Sequence, residues 1–394
     1  MNRLQFVKKK LTKLRYAVEN PLDVRYLKFI KPQRGNGIVV VIHESNQLGA
    51  SLLALHTAEE LVAQGESVYI ISRQFGQLNK KYATVAPLQI ALTDRQFAVI
   101  LTKLKQNYGF KRLLMITAAV GDLTKIGHDL GYSVVSEIHE LASVIEVLKL
   151  QDATKQMLRY SDKVVFSTSI AKNEVLDLLH EQDKSKICIR PQGIYFKKAD
   201  KNTIENSKRD LISKYPKIKD KKVVVGVGNT SERKGIDLFI ETARKVPECV
   251  FLWAGKRELY YNRLAKDLPN NFFYLGQMNS DQLSGLYELA DVLLLSSRQD
   301  TLPSVILEAF LFHVPVIAAR DSGGVIDIVN NSNGILTATA SEADFSEAIK
   351  EMFANNKYIT LKKDLIEADA TDFSFSSYVS YIKNCLTGRH NGTV

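Results

Sequence analysis

A chain of 394 residues exceeds the roughly 250 to 300 residues at which one hydrophobic core stops growing, so two domains are expected. Its 45% hydrophobic and 24% charged residues are those of an ordinary globular protein, and no apolar run approaches the roughly 20 residues that cross a bilayer. The net charge of +10 is uneven: residues 1–35 hold ten Lys and Arg against two acids, and the remainder, with 43 basic and 41 acidic residues, is nearly neutral. That balance argues against a broad nucleic-acid-binding face, and no nucleic-acid partner is expected.

The basic start has a pattern of its own. Leu4, Val7, Leu11, Leu14 and Val18 recur at spacings of three and four and form one apolar stripe, while Lys8, Lys9, Lys10 and Lys13 fall on other faces. Pro21 ends the helix that this pattern predicts. Such a segment suits an anionic membrane surface, each basic residue contributing about 1 kcal/mol near the leaflet. A solvated basic helix, or one docked on the protein itself, is the alternative. The segment lacks an apolar h-region followed by a small-residue cleavage site, so the expected location is cytoplasmic, peripheral on the inner membrane face.

From Gly37 onward, short β-rich runs alternate with amphipathic segments of helical length, as in βα units around a parallel sheet. Strands are predicted at residues 38–42, 68–71, 113–116, 133–135 and 164–166, and a second series at 223–227, 250–253, 272–275, 292–295 and 315–318. Residues 197–222, lysine-rich and containing Pro216, read as a linker plus one helix. Beyond Ala340 the pattern turns helical. The expected division is a basic extension over 1–35, an α/β domain over 36–200, a second over 201–370, and a closing helix over 371–394 that packs back towards the first domain. Cys188, Cys249 and Cys385 lie far apart with no CxxC spacing, so neither a disulfide framework nor a zinc site is expected.

The segment that follows the strand ending at Leu295 carries the most chemistry. Within residues 302–319 the one formally charged side chain is Glu308, on a helix otherwise built from Val, Ile, Leu, Ala and Phe. A carboxylate there needs donors from the protein, from water or from ligand hydroxyls; a paired core glutamate is the bland alternative. Asp300 stands eight residues earlier, at the carboxyl end of a strand, where open α/β sheets bind ligands. Leu302 and Pro303 lead into the helix, and the free backbone N–H groups of Ser304 and Val305 suit a phosphate. Helix capping is the alternative reading for such features.

Gly226-Val-Gly-Asn-Thr-Ser-Glu-Arg-Lys-Gly235 leaves a β-rich run and delivers Arg233 and Lys234, two cations suited to a diphosphate, before a helix. A dinucleotide fingerprint would need glycine at Ser231. Asp321-Ser-Gly-Gly-Val-Ile-Asp327 places two glycines ahead of another helix, and Gly49 permits close backbone approach after the first strand. His139-Glu140 follows the strand near Val135; His139 is either structural or a hydrogen-bond donor to a sugar hydroxyl or phosphate.

Together these segments resemble glycosyltransferase family 4, whose members have the GT-B architecture and retain anomeric configuration. The resemblance spans nearly residues 37–386. It is strongest over 223–331, where the strand-Gly…Lys-Gly segment, Phe273-Tyr-Leu-Gly276, Leu286-Tyr-Glu-Leu-Ala-Asp-Val292, the acid-x7-acid segment, Pro315-Val-Ile and Gly323-Gly324 occur in family order, and it extends to Pro191-Gln-Gly193. It implies an α/β GT-B fold of two Rossmann-like domains with parallel sheets and an interdomain donor cleft. It further implies a retaining, metal-independent hexosyltransferase that moves a sugar from a nucleotide-diphosphate sugar to a glycan or lipid-linked acceptor, in cell-surface polysaccharide or glycoconjugate biosynthesis.

Carried over by residue, Glu308 would bind the ribose hydroxyls, Asp300 would lie near the donor sugar or its phosphates, and Arg233 and Lys234 would grip the diphosphate. Met278 would lie by the base through its backbone, while Gly49 and His139 would approach from the first domain with the acceptor. Asp300 departs from the family's usual Glu, and Asn229 stands where the family commonly has a phosphate-contacting arginine. No DxD triplet occurs, and the expected donor site uses cations and helix N-termini, with no metal and no further cofactor. Two other classes fit the same architecture: a nucleotide-sugar epimerase, which turns over without an acceptor, and a non-catalytic partner subunit that has lost donor binding.

Overall fold

The computed structural model describes residues 32–46, 49–354, 357–367 and 373–388; the basic stripe predicted over residues 4–18, with Pro21, lies outside them. The chain divides into two compact units, one running to Pro191 and including the C-terminal helix, the other Gln192–Ser374. The division falls at Pro191/Gln192 rather than near residue 200.

The first unit is built on a seven-stranded, wholly parallel sheet of order β3-β2-β1-β4-β5-β6-β7. Its strands are β1 (Ile38–Ile42), β2 (Val68–Ser72), β3 (Leu88–Ile90), β4 (Arg112–Ile116), β5 (Ser133–Ile138), β6 (Lys163–Phe166) and β7 (Ile187–Ile189). Every residue of β1 and β2 is buried, which is why these strands read as unbroken apolar runs rather than as alternation. Helices cover the sheet, among them Gly49–Ala63 and the C-terminal helix Phe375–Thr387, which buries Tyr378, Val379, Ile382, Cys385 and Leu386.

The second unit repeats the order with six parallel strands, β10-β9-β8-β11-β12-β13. These are β8 (Val223–Val227), β9 (Val250–Ala254), β10 (Phe272–Gly276), β11 (Val292–Leu295), β12 (Val316–Ala319) and β13 (Gly334–Thr337). The two-residue period of the strands separates two cores: Val223, Val225, Leu252 and Leu293 pack on one face, and Val224, Phe251, Trp253 and Leu294 on the other. Helix starts are capped locally, as where Asn279 and Gln282 form a reciprocal capping box ahead of Ser280–Leu289.

In each unit the first strand lies at the middle of the sheet, beside the fourth. This is the topological switch point of a doubly wound fold, where the loops at the carboxyl ends diverge and leave a crevice. Three strands absent from the sequence expectation, β3, β7 and β13, are edge strands of three or four residues. None of the three cysteines is in a disulfide.

Candidate functional site

The second unit's switch point lies between β8 and β11, and its loops carry the predicted charges. Gly226 is packed so closely that a Cβ would meet the Trp253 ring at 2.5 Å. The loop beyond it is pinned to the one after β9, since Trp253 Nε1 donates to the Gly228 carbonyl at 2.9 Å and the Glu258 N–H donates to Thr230 Oγ1 at 2.7 Å. Gly235 closes the loop at φ +67°, and a Cβ there would stand 1.9 Å from the Ser296 carbonyl oxygen. Only glycine satisfies both conditions, and the helix Ile236–Lys245 begins immediately after it.

Arg298, on the β11 loop, fixes the two loops to each other. Its guanidinium grips Asp237 bidentately at 2.9 and 2.6 Å and donates to the Glu232 carbonyl at 2.7 Å, while its backbone N–H donates to the Arg233 carbonyl at 2.9 Å. Lys234 and Arg233 are thereby aimed at the β11 loop. Lys234 Nζ bonds the Asp300 carboxylate, and Arg233 Nη1 lies 3.8 Å from it while donating to the Gln299 carbonyl at 2.8 Å. Asp300 is held in turn by its backbone, which donates to the Ser322 carbonyl at 2.7 Å and accepts from Gly324 N at 3.1 Å. Two cations and one carboxylate thus meet at the carboxyl ends of adjacent strands.

Helix Ser304–Leu311 starts next to this cluster with Pro303 at its N-cap, one position earlier than the first-turn place that proline usually prefers, and no side chain caps it. Leu302 and Pro303 are buried and Val305 packs at the core edge. Glu308 accepts the Tyr287 hydroxyl at 2.8 Å and is also hydrogen-bonded by the Ser304 side chain. Burial raises its carboxyl pKa; the bonds from Tyr287 and Ser304 and the charge of Lys234 oppose this without cancelling it. Tyr195 bonds Ser304 as well, its phenol pushed up to about 12 by burial and by the Glu308 charge.

Asn229 is exposed on the β8 loop and makes no charged contact of the kind an arginine would supply. Met278 stands apart at the end of β10, where with Ser207, Leu211, Tyr215, Leu275 and Gln277 it lines a cavity of about 160 Å³. Gly49 and His139 belong to the first unit. Gly49 is the exposed first residue of its helix, with open space where a Cβ would stand. His139 follows β5, its Nε2 3.2 Å from Glu137 Oε2 and its backbone N–H on Glu140 Oε2 at 3.0 Å. Sequence reasoning missed Tyr195, Tyr287 and Arg298. Tyr287 lies within Leu286–Val292 and Tyr195 two residues beyond Pro191-Gln-Gly193, while Arg298 heads the segment that carries Asp300 and Glu308 but gave no local sign of its pairing with Asp237.

Residues 207–370 match the family of glycosyl transferases group 1. This stretch contains Arg233, Lys234, Met278, Asp300 and Glu308. Among curated proteins, the alpha-galactosylglucosyldiacylglycerol synthase of Streptococcus pneumoniae is 33% identical over 153 residues, covering 37% of this chain and 39% of that protein. The processive diacylglycerol alpha-glucosyltransferase of Acholeplasma laidlawii is 33% identical over 103 residues, 25% of this chain and 31% of that protein. The chain therefore spans about a third of the length of these relatives. Among solved structures, Anabaena HepE in complex with UDP superimposes with a TM-score of 0.76 at 16% identity, covering 89% of this chain and all of that one. The fold is thus that of GT-B glycosyltransferase structures, two Rossmann-like domains. Among the described residues no helix is long and apolar enough to cross a membrane.

Proposed function

We propose that this chain is a retaining GT-B glycosyltransferase of family 4 that transfers a hexose from a nucleotide-diphosphate sugar to a glycolipid or glycan acceptor. The observation that carries the reading is the junction of Lys234, Arg233 and Asp300 beside Glu308 at the switch point of the unit that matches group 1 glycosyl transferases. In this reading Lys234 and Arg233 turn from Asp300 to the diphosphate, and the uncapped N–H groups of Ser304 and Val305 add positive potential. Glu308, fixed by Tyr287 and Ser304, accepts from the ribose hydroxyls. The Met278 loop takes the base.

The glycosidic bond to phosphate breaks as the acceptor oxygen bonds the anomeric carbon on the same face, and the acceptor proton passes to the departing phosphate oxygen. Charge accumulates on the diphosphate, where the cations already stand, so preorganised electrostatics supply the acceleration and no metal is required. Acceptor chemistry follows the two diacylglycerol-named relatives, and residues 1–35 would hold the protein at an anionic membrane face close to such an acceptor.

A thermal-shift screen with UDP-, GDP-, ADP- and dTDP-sugars, with and without chelator, tests the proposal, because a ligand that binds the folded state raises its melting temperature. One nucleotide sugar should stabilise the protein, and turnover with a glycolipid acceptor should survive chelation. Stabilisation by none of them sinks the donor assignment. Turnover without acceptor selects an epimerase, and activity lost to chelator and restored by a divalent cation overturns the metal-free mechanism.

A further inference from the structure

Glu137 has no exposed surface, although it lies in β5 among Val134, Val135 and Ile138. A carboxylate at that depth persists only with donors around it. Tyr378, from helix Phe375–Thr387, donates its hydroxyl to Oε1 at 2.9 Å, and the ring of His139 meets Oε2 through Nε2 at 3.2 Å. The main chain of His139 is held separately, its N–H donated to Glu140 Oε2, which also takes the Ala118 N–H at 3.1 Å from the turn after β4. The imidazole is therefore anchored by its backbone through Glu140 and by its ring through Glu137, and Glu137 by the C-terminal helix.

We propose that Glu137 and Tyr378 are positioning residues that hold His139 as an imidazolium with Nε2 bound to Glu137, leaving the Nδ1 N–H as the donor to a phosphate or sugar hydroxyl. This rests on the reading of His139 as a ligand-contacting residue of the transferase. The groups acting on the ring support it. Burial works against the charged imidazole, but the hydrogen bond and charge of Glu137, with the charge of Glu140, outweigh it and raise the pKa above the ordinary histidine value. Glu140 is the weaker counter-ion, because burial raises its own carboxyl pKa despite the N–H groups of Ala118 and His139 and the imidazole charge. A neutral ring with Nε2 on Glu137 would offer only an acceptor at Nδ1, so the charge decides which ligand atom His139 can serve.

The test is a histidine NMR titration of the full chain, for wild type, Glu137→Gln and Tyr378→Phe, with pH profiles of turnover on the same samples. His139 should titrate above the ordinary histidine in wild type, and Glu137→Gln should move it to lower pH. The fall of turnover as pH rises should move with it. At neutral pH Glu137→Gln should lose about tenfold or more, the scale of one charge-assisted hydrogen bond, mainly in kcat because the imidazolium counts most where charge develops. Tyr378→Phe keeps the carboxylate and should lose less. A titration unmoved in folded Glu137→Gln, or turnover that falls with an unshifted pH profile, overturns the proposal. If Glu137→Gln fails to fold, a wild-type His139 that titrates at or below the ordinary value overturns it alone. Failure of the donor assignment shows separately, as a wild type that binds no nucleotide sugar while its histidine titrates high.

Discussion

Replacing Glu308 by Gln should weaken donor binding without weakening the fold. The side chain keeps its shape, and its amide oxygen can still accept the Tyr287 hydroxyl now held at 2.8 Å. What disappears is charge. A hydrogen bond to a charged group contributes about 1.5–3 kcal/mol and a neutral one about 1 kcal/mol, so each ribose hydroxyl bound by Glu308 loses about 1–2 kcal/mol, or about five- to thirtyfold in Kd. Two hydroxyls on the one carboxylate would compound this to about a hundredfold or more. The unliganded protein should respond in the opposite sense.

Because burial raises the Glu308 pKa in the folded state, the folded protein holds that proton more tightly than the unfolded chain. This contribution to stability is full at low pH and falls as pH rises from the unfolded to the folded pKa. The Glu308→Gln variant has no such proton to lose and lacks that fall. At neutral pH Glu308→Gln should therefore melt at or slightly above the wild-type temperature while donor titration calorimetry shows the weaker Kd. A variant that melts well below wild type yet binds donor normally per folded molecule would show that Glu308 is a core acid and refute the reasoning.

Lys234→Ala should cost about a hundredfold in kcat/KM, the scale of removing one preorganised donor to developing charge, and Arg233→Ala about tenfold or less, because the Lys234 side chain is 17% exposed and that of Arg233 53%; steady-state kinetics rank the two, and the reverse order would reassign the principal cation. Gly235→Ala combines a left-handed φ with a 1.9 Å approach to Ser296, so it should destabilise by about 2–4 kcal/mol in denaturant melts, and a melt like that of wild type would mean the loop can rebuild. A chain starting at Gly35 should lose the salt-sensitive co-sedimentation with anionic vesicles that the full chain shows, and equal sedimentation of the two would remove the membrane role of residues 1–35.

The strands legible in the sequence are those buried on both faces. Residues 38–42 and 292–295 are apolar throughout because helices cover both sides of their sheets. The missed ones are edge strands of three or four residues, too short to write such a run, and two of them, Leu88–Ile90 and Ile187–Ile189, are also partly exposed. Charge in strand-end loops marked Arg233, Lys234 and Asp300, but nothing local announced that Arg298 grips Asp237 from 61 residues away or that Tyr287 reaches Glu308 across a helix packing. Glu137 was findable. It is the one acid inside an otherwise largely apolar strand, the same signal that singled out Glu308.

Both units repeat one strand order, so topology alone does not say which switch point holds an anion. Charge does. At the first unit's switch point, the loop after β1 carries Glu44, whose carboxylate accepts from Asn46 at 2.5 Å, and His43, whose ring meets Gln74 at 2.8 Å. After β4, Thr117 adopts φ +77°, unusual for a β-branched residue, with its N–H on the Glu137 carbonyl at 3.0 Å. These loops bring carboxylates and neutral groups, and no Arg–Lys pair like Arg233–Lys234 stands in them among the described residues. A diphosphate carries at least two negative charges and gains less from these two loops than from the Arg233–Lys234 pair, whereas a hydroxyl needs no such pair. In the proposed transfer, the cations of the second unit would suit the leaving group, and the loops of the first unit would suit an acceptor that arrives uncharged at its reacting atom.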